Sequence, residues 1–150
     1  MTIEDVGRVP LTDADYIALT IWGEARGEPI EGKVAVACVL RNRLRSGRWG
    51  QSFESVCLAP YQFSCWNETD PNLPKLQTYA DRLVRGVTIT DPVFRECQWI
   101  ADGLIHGVIR PRVANALHYY AASMPTPPYW AKTGTMIGRV AGHLFLEGVE

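Results

Sequence analysis

The chain has 150 residues, 15 basic and 16 acidic side chains, a net charge of −1 and a hydrophobic fraction of 47%. That length suits one domain, read as 1–150 with a lead-in over 1–11, and the composition is that of an ordinary globular core. The charge balance removes any whole-molecule field for nucleic acid, and no apolar run approaches the ~20 residues of a stable membrane insertion.

Thr12 with Asp15 predicts a capping box opening a helix over Asp13–Arg26. Ile17, Ile21 and Ala25 form its apolar stripe, Gly27 is expected in a left-handed C-terminal position, and Pro29 forbids continuation. A second helix is expected over Lys33–Ser46, closed by Gly47. Its run Val34–Leu40 is apolar nearly all round and predicts the buried central helix. Asn42, after that run, reads as a bond to the loop around the first helix end or as a surface residue. The five cations Lys33, Arg41, Arg43, Arg45 and Arg48, with no acid between them, read as a solvated face before an anionic-polymer contact.

Ser52 caps a short turn over Phe53–Leu58. In 59–67 aromatic and polar residues alternate, predicting an extended element with Tyr61, Phe63 and Cys65 on one face and Gln62, Ser64 and Trp66 on the other. Helices follow over Lys75–Arg85 and, behind the Asp91-Pro92 start signal, over Val93–Leu104. Asn115–Tyr120 reads as extended, and Ile137–Leu146 as a closing strand kinked at Gly142. The fold class is therefore α+β: a helix-rich single domain with a small β element lining a groove.

Glu24 stands out. It follows Ile21 by three residues, Thr20 by four and Ile17 by seven, so it shares their face of the helix. A carboxylate there must be paired, protonated or facing a cleft. In the last turn it also meets the negative end of the helix dipole, which disfavours ionisation. Both effects suit a general acid with a raised pKa. The four cysteines include no CxxC pair. Cys38 reads as core, and Cys57 and Cys65 are spaced so that a bridge is left open. With histidines only at 106, 118 and 143, no metal site and no cofactor are expected.

IWGEARGEPIEGKVAVACVLRNRL (21–44), YQFSCWN (61–67), NALHYYAASMPTPPYW (115–130) and IGRVAGHLFL (137–146) resemble the SleB/CwlJ-type cell-wall hydrolases, the spore-cortex-lytic enzymes and related phage endolysins. The resemblance spans Tyr16 to Leu146 in the family's order. It implies a lysozyme-like domain that cleaves peptidoglycan glycan strands between N-acetylmuramic acid and N-acetylglucosamine, with the first glutamate of GEARGE, Glu24, as the catalytic acid. It favours a lytic transglycosylase route, which needs no second carboxylate, over a hydrolytic muramidase.

Glu28 reads as scaffold, for instance pairing with Arg26. Gln62 and Ser64 are candidates to hold N-acetyl groups or support Glu24. Trp66, Tyr119, Tyr120 and Trp130 are candidates to stack on sugars, with core packing as the competing role. His118 and His143 are candidate supports near the site. A Cys65/histidine peptidase or amidase is the alternative from another class, and a non-catalytic wall-binding module a third. The expected partner is the glycan strand, bound by a monomer. The N-terminus Met1-Thr2-Ile3-Glu4-Asp5 has acids where an export signal has cations. The chain is thus expected to be made in the cytoplasm without a signal peptide and to act on the wall after release, as a phage-type endolysin, or after export by another route.

Overall fold

The computed structural model describes residues 9–150, so most of the expected lead-in lies outside the described residues. Five α-helices and one small sheet are found there: α1 (Asp13–Ala25), α2 (Ile30–Ser46), α3 (Phe53–Leu58), α4 (Leu73–Val84), α5 (Pro92–Ile105), β1 (His118–Ala121), β2 (Thr135–Val140) and β3 (His143–Glu147). The helix-rich α+β class is as expected.

Local chemistry accounts for the helix starts. Thr12 and Asp15 form the reciprocal capping box at α1, at 3.1 and 2.9 Å, and Ser52 with Ser55 does the same at α3. Asp91 receives the amides of Val93 and Phe94 ahead of Pro92. Gly47 closes α2 in the left-handed conformation at φ 73°. Gly27 is not in that region. α1 instead ends on right-handed Arg26, with Glu28 N–H bonded to the Ala25 carbonyl, and the chain turns directly into α2.

α1 is the helix the others surround, packing on α2, α3, α4 and α5. Its residues 17–23 are buried without a break. α2 shares the interior, since its run from Ala35 to Leu40 separates a large core around α1 from a smaller one holding Val113, Ala116 and Phe145. The central role expected of α2 is therefore divided. Of the five cations read as a solvated face, Arg45 and Arg48 are exposed as expected, Arg41 is half-buried, and Lys33 and Arg43 are buried. Lys33 is buried and bonds Glu96 at 2.8 Å and the Glu28 carbonyl at 2.7 Å. Asn42 ties down the carbonyls of Ala114 and Ala116, far from the first helix end.

The sheet is antiparallel with strand order β1-β3-β2. The predicted single strand over Ile137–Leu146 is a hairpin: Ala141, at φ 50°, and Gly142 form the turn where a kink was expected. The expected extended element at 59–67 is a set of turns ending in a 3-10 helix, Ser64–Trp66. Phe63 and Cys65 point inward as predicted, but Tyr61 is 91% exposed. A lone segment with no neighbouring strand has no ladder partner, so its backbone closes local turn bonds instead.

Candidate active site

Glu24 sits one residue before the end of α1, where the helix meets the 3-10 turn. Gly23 allows that meeting: a Cβ there would lie 2.6 Å from the Cys65 Cβ and 2.7 Å from its sulfur. The close approach sets Ser64 beside Glu24, and both line a cleft of about 450 Å³. α2 contributes Arg43 to that cleft, the preceding turn Gln62, β1 His118 and Tyr119, the 3-10 helix after the proline-rich loop Tyr129 and Trp130, and the C-terminus Val149 and Glu150.

Burial first, and the Asp70 carboxylate second, push the Glu24 carboxyl up to about 7. The Ser64 hydroxyl and N–H and the Cys65 N–H act in the opposite direction, favouring the ionised form. Glu24 is thus poised between a proton donor and a carboxylate near neutral pH. Desolvation as the main cause matches the sequence reading, whereas Asp70 carried no signal there.

Arg43 is the residue that sequence reasoning missed. It is 3% exposed, donates from Nε to the Leu117 carbonyl at 2.7 Å and from Nη1 to Gln62 Oε1 at 3.0 Å. Its guanidinium stacks on Trp49 and Phe63, at 4.1 and 4.8 Å from the ring centroids. Burial pushes its pKa down to about 10, so it stays charged at neutral pH. The signal was present: Arg43 follows Leu40, Val39 and Val36 by three, four and seven residues, on the buried face of α2.

Burial, followed by Arg43 and Arg48, pushes His118 down to about 4, so the ring is neutral. It lies between Trp49 and Trp130 at 5.7 and 5.4 Å. Burial and the Glu24 carboxyl push the Tyr119 hydroxyl well above its ordinary value, keeping it a donor. Tyr120 does not line the cleft; its ring backs Trp130 at 6.1 Å. Trp66 is also outside. Its indole N–H donates to Thr20 Oγ1 at 3.0 Å, on the inner side of α1.

Glu28 and His143 form a separate pair, Oε1 to Nδ1 at 3.0 Å. Arg26, the partner expected for Glu28, bonds Asn72 and stacks on Trp22 instead. The four cysteines are free and buried, with no bridge between Cys57 and Cys65. No helix among the described residues is long and apolar enough to cross a membrane.

The same arrangement of elements occurs in two solved structures. The catalytic domain of the Bacillus cereus SleB protein matches at TM-score 0.60 and 25% identity, over 93% of this chain and 95% of that one. The catalytic domain of the germination-specific lytic transglycosylase SleB from Bacillus anthracis shares the fold, at TM-score 0.65 and 24% identity, over 93% and 97%. The spore cortex-lytic enzymes of Bacillus subtilis (strain 168) and Oceanobacillus iheyensis are each 27% identical over 135 residues, 90% of this chain. The chain spans 37% and 41% of those two proteins. The family model for the cell wall hydrolases matches residues 27–146, a span that starts just after Glu24 and holds most of the cleft. That match over most of the chain, on this fold, places the chain in the cell wall hydrolase family of enzymes.

Proposed function

We propose that the protein is a monomeric lytic transglycosylase that cleaves peptidoglycan glycan strands between N-acetylmuramic acid and N-acetylglucosamine, with Glu24 as general acid and then general base. The observation that carries the reading is the Glu24 carboxyl, raised to about 7 by burial while lining an open cleft. The protonated acid donates to the bridging oxygen as the bond from the muramyl C1 breaks. The carboxylate so formed takes the proton of the muramyl 6-hydroxyl, whose oxygen bonds to C1. The products are a 1,6-anhydro end and a free N-acetylglucosamine end, and Glu24 regains its proton. Gln62 lines the cleft with its oxygen held by Arg43, which leaves its amide N–H₂ as a donor suited to an N-acetyl carbonyl.

One feature favours a hydrolytic second reading: Glu150 also lines the cleft and offers a carboxylate to activate water. Mass spectrometry of digested peptidoglycan separates the two, since anhydro-muramyl ends support transglycosylation and reducing muramyl ends support hydrolysis. Glu24→Gln is expected to abolish cleavage of either kind with the fold intact. Full activity in that variant would sink the assignment. A Cys65 nucleophile has little support, because the thiol is fully buried and its pKa is pushed upward by that burial. An endolysin setting predicts release of fragments from vegetative walls. Release from spore cortex alone would reassign it.

A further inference from the structure

A second groove, of about 600 Å³, opens between the first turn of α2, the C-terminal half of α5 and the loop that follows it. Val34, which lines it, precedes Arg43 by nine residues on α2. That spacing is a rotation of about 180° and an axial offset of about 14 Å. The groove and the Glu24 cleft therefore face away from each other across α2.

Hydrogen bonds hold the loop of this groove, and the His106 ring is spent on the Asp102 carbonyl at 2.8 Å, but its four charged side chains are not. Arg41 Nη1 donates to the Ile109 carbonyl at 3.0 Å, Val108 N–H to the Gly103 carbonyl at 3.0 Å, and Asn42 holds the carbonyls of Ala114 and Ala116. The loop is thus pinned from both sides. Trp99 and Val108 are nevertheless 68% and 75% exposed. Around them stand Glu31, Asp102, Arg110 and Arg112. The three ion pairs among the described residues use none of these four, and none of their side chains has a hydrogen-bond partner there. Two unpaired anions and two unpaired cations on an apolar floor complement a ligand that carries both charges on a short apolar frame. A neutral glycan offers neither charge, and a polyanion meets Glu31 and Asp102.

We propose that this groove binds the peptide branches of the wall polymer, short peptides that bear carboxylates and a free ammonium group. The carboxylates pair with Arg110 and Arg112, the ammonium with Glu31 and Asp102, and the methylenes lie on Trp99 and Val108. The identity of the peptide rests on the wall-polymer reading above. Since the groove lies across α2 from the cleft, the bound peptide belongs to a part of the wall away from the bond being cut. The groove is a tether to the cross-linked wall.

The test is calorimetric titration of the Glu24→Gln protein with the tripeptide L-alanyl-γ-D-glutamyl-meso-diaminopimelate. Saturable binding is expected. It weakens about tenfold or more, roughly the loss of one stacking or charged contact, in Trp99→Ala, in the Arg110→Ala/Arg112→Ala double variant, and with the peptide amine acetylated. No binding by the parent protein, or unchanged binding in Trp99→Ala and the double variant, overturns the proposal. Tighter, Trp99-dependent binding of tetra-N-acetylchitotetraose overturns it in favour of a sugar site. Self-association abolished by Trp99→Ala in sedimentation overturns it in favour of a second copy of the chain. Binding is read on a protein that need not cleave, so the groove and the glycan-cleavage reading fail separately. If cleavage stands and the tripeptide does not bind, only the groove falls. If the tripeptide binds and Glu24→Gln cuts normally, only the cleavage assignment falls.

Discussion

The Glu28 carboxylate lies 3.0 Å from Nδ1 of His143, joining the turn after the Glu24 helix to the first residue of β3. Both side chains are mostly buried, and Gly142 leaves the space that the carboxylate fills, since a Cβ there would collide with Glu28 Oε1. The His143 ring packs edge-on against Tyr119 at 5.0 Å. The second glutamate of GEARGE therefore holds the sheet that supplies Tyr119 to the cleft, while the first faces the cleft itself.

From this relationship, Glu28→Ala is expected to cost about 1–2 kcal/mol by emptying the space beside Gly142 and removing the carboxylate that faces the buried His143 ring. Glu28→Gln, which keeps the same volume in the space beside Gly142 and an oxygen facing the ring, is expected to recover most of that. Cleavage in Glu28→Gln should fall by less than about tenfold, against near-complete loss in Glu24→Gln. Thermal denaturation and product formation on the three variants check both statements. Equal losses in Glu24→Gln and Glu28→Gln would give the two glutamates one chemical role.

The rate on the free enzyme is expected to fall as pH rises through about 7, because the Glu24 proton is the one transferred. Stability carries the same signature. A carboxyl raised from 4.5 to about 7 in the folded state stabilises fully below 4.5 and loses that contribution as pH rises through about 7. The amount is on the order of 3 kcal/mol. His118, lowered from 6.5 to about 4, acts the other way over the overlapping window from 6.5 down to about 4, since its folded form resists protonation as pH falls. The Glu24 share is thus read from the difference between wild type and Glu24→Gln. The variant should gain relative stability steadily from pH 4.5 to about 7 and level off above that. A difference independent of pH would contradict the raised carboxyl.

Arg43 joins Leu117, the residue before β1, to the Gln62 turn and two aromatic rings. Arg43→Ala leaves the Leu117 carbonyl and the Gln62 amide oxygen without their charged donor, at about 3 kcal/mol in all. For a chain of this size that is a fall of roughly 10 °C in Tm. Arg43→Lys is expected to restore little, since an ammonium cannot reproduce a planar donor stacked between rings. Denaturation midpoints of the two variants test this, and a Lys variant as stable as wild type would mean that charge alone is used there.

Two tryptophans separate packing from sugar contact. Trp66→Phe removes the bond to the fully buried Thr20 hydroxyl and is expected to cost about 1–2 kcal/mol with cleavage unchanged. Trp130, on the cleft wall, is expected to lose about tenfold or more in kcat/KM as Ala, with Tm little altered. Parallel denaturation and turnover measurements decide, and an inactive, stable Trp66→Phe would return Trp66 to the substrate.

The amino-acid order alone determined what short-range chemistry can determine. Thr12 with Asp15, Ser52, Asp91-Pro92 and Gly47 mark helix ends through bonds to residues a few positions away. Glu24 was legible for the same reason, as a carboxyl on an apolar stripe beside a helix end. Tertiary structure decided what depends on distant partners. A β ladder needs a neighbour, so 59–67 became turns and Ile137–Leu146 a hairpin. Trp66 turned to Thr20 and left the cleft, while Arg43 left its run of cations and entered it. The role of Glu28 waited on His143, which lies 115 residues along the chain and is brought near only when the sheet packs on the helix. Charges and aromatics take their roles from the surfaces they meet, and those surfaces exist only once the chain has folded.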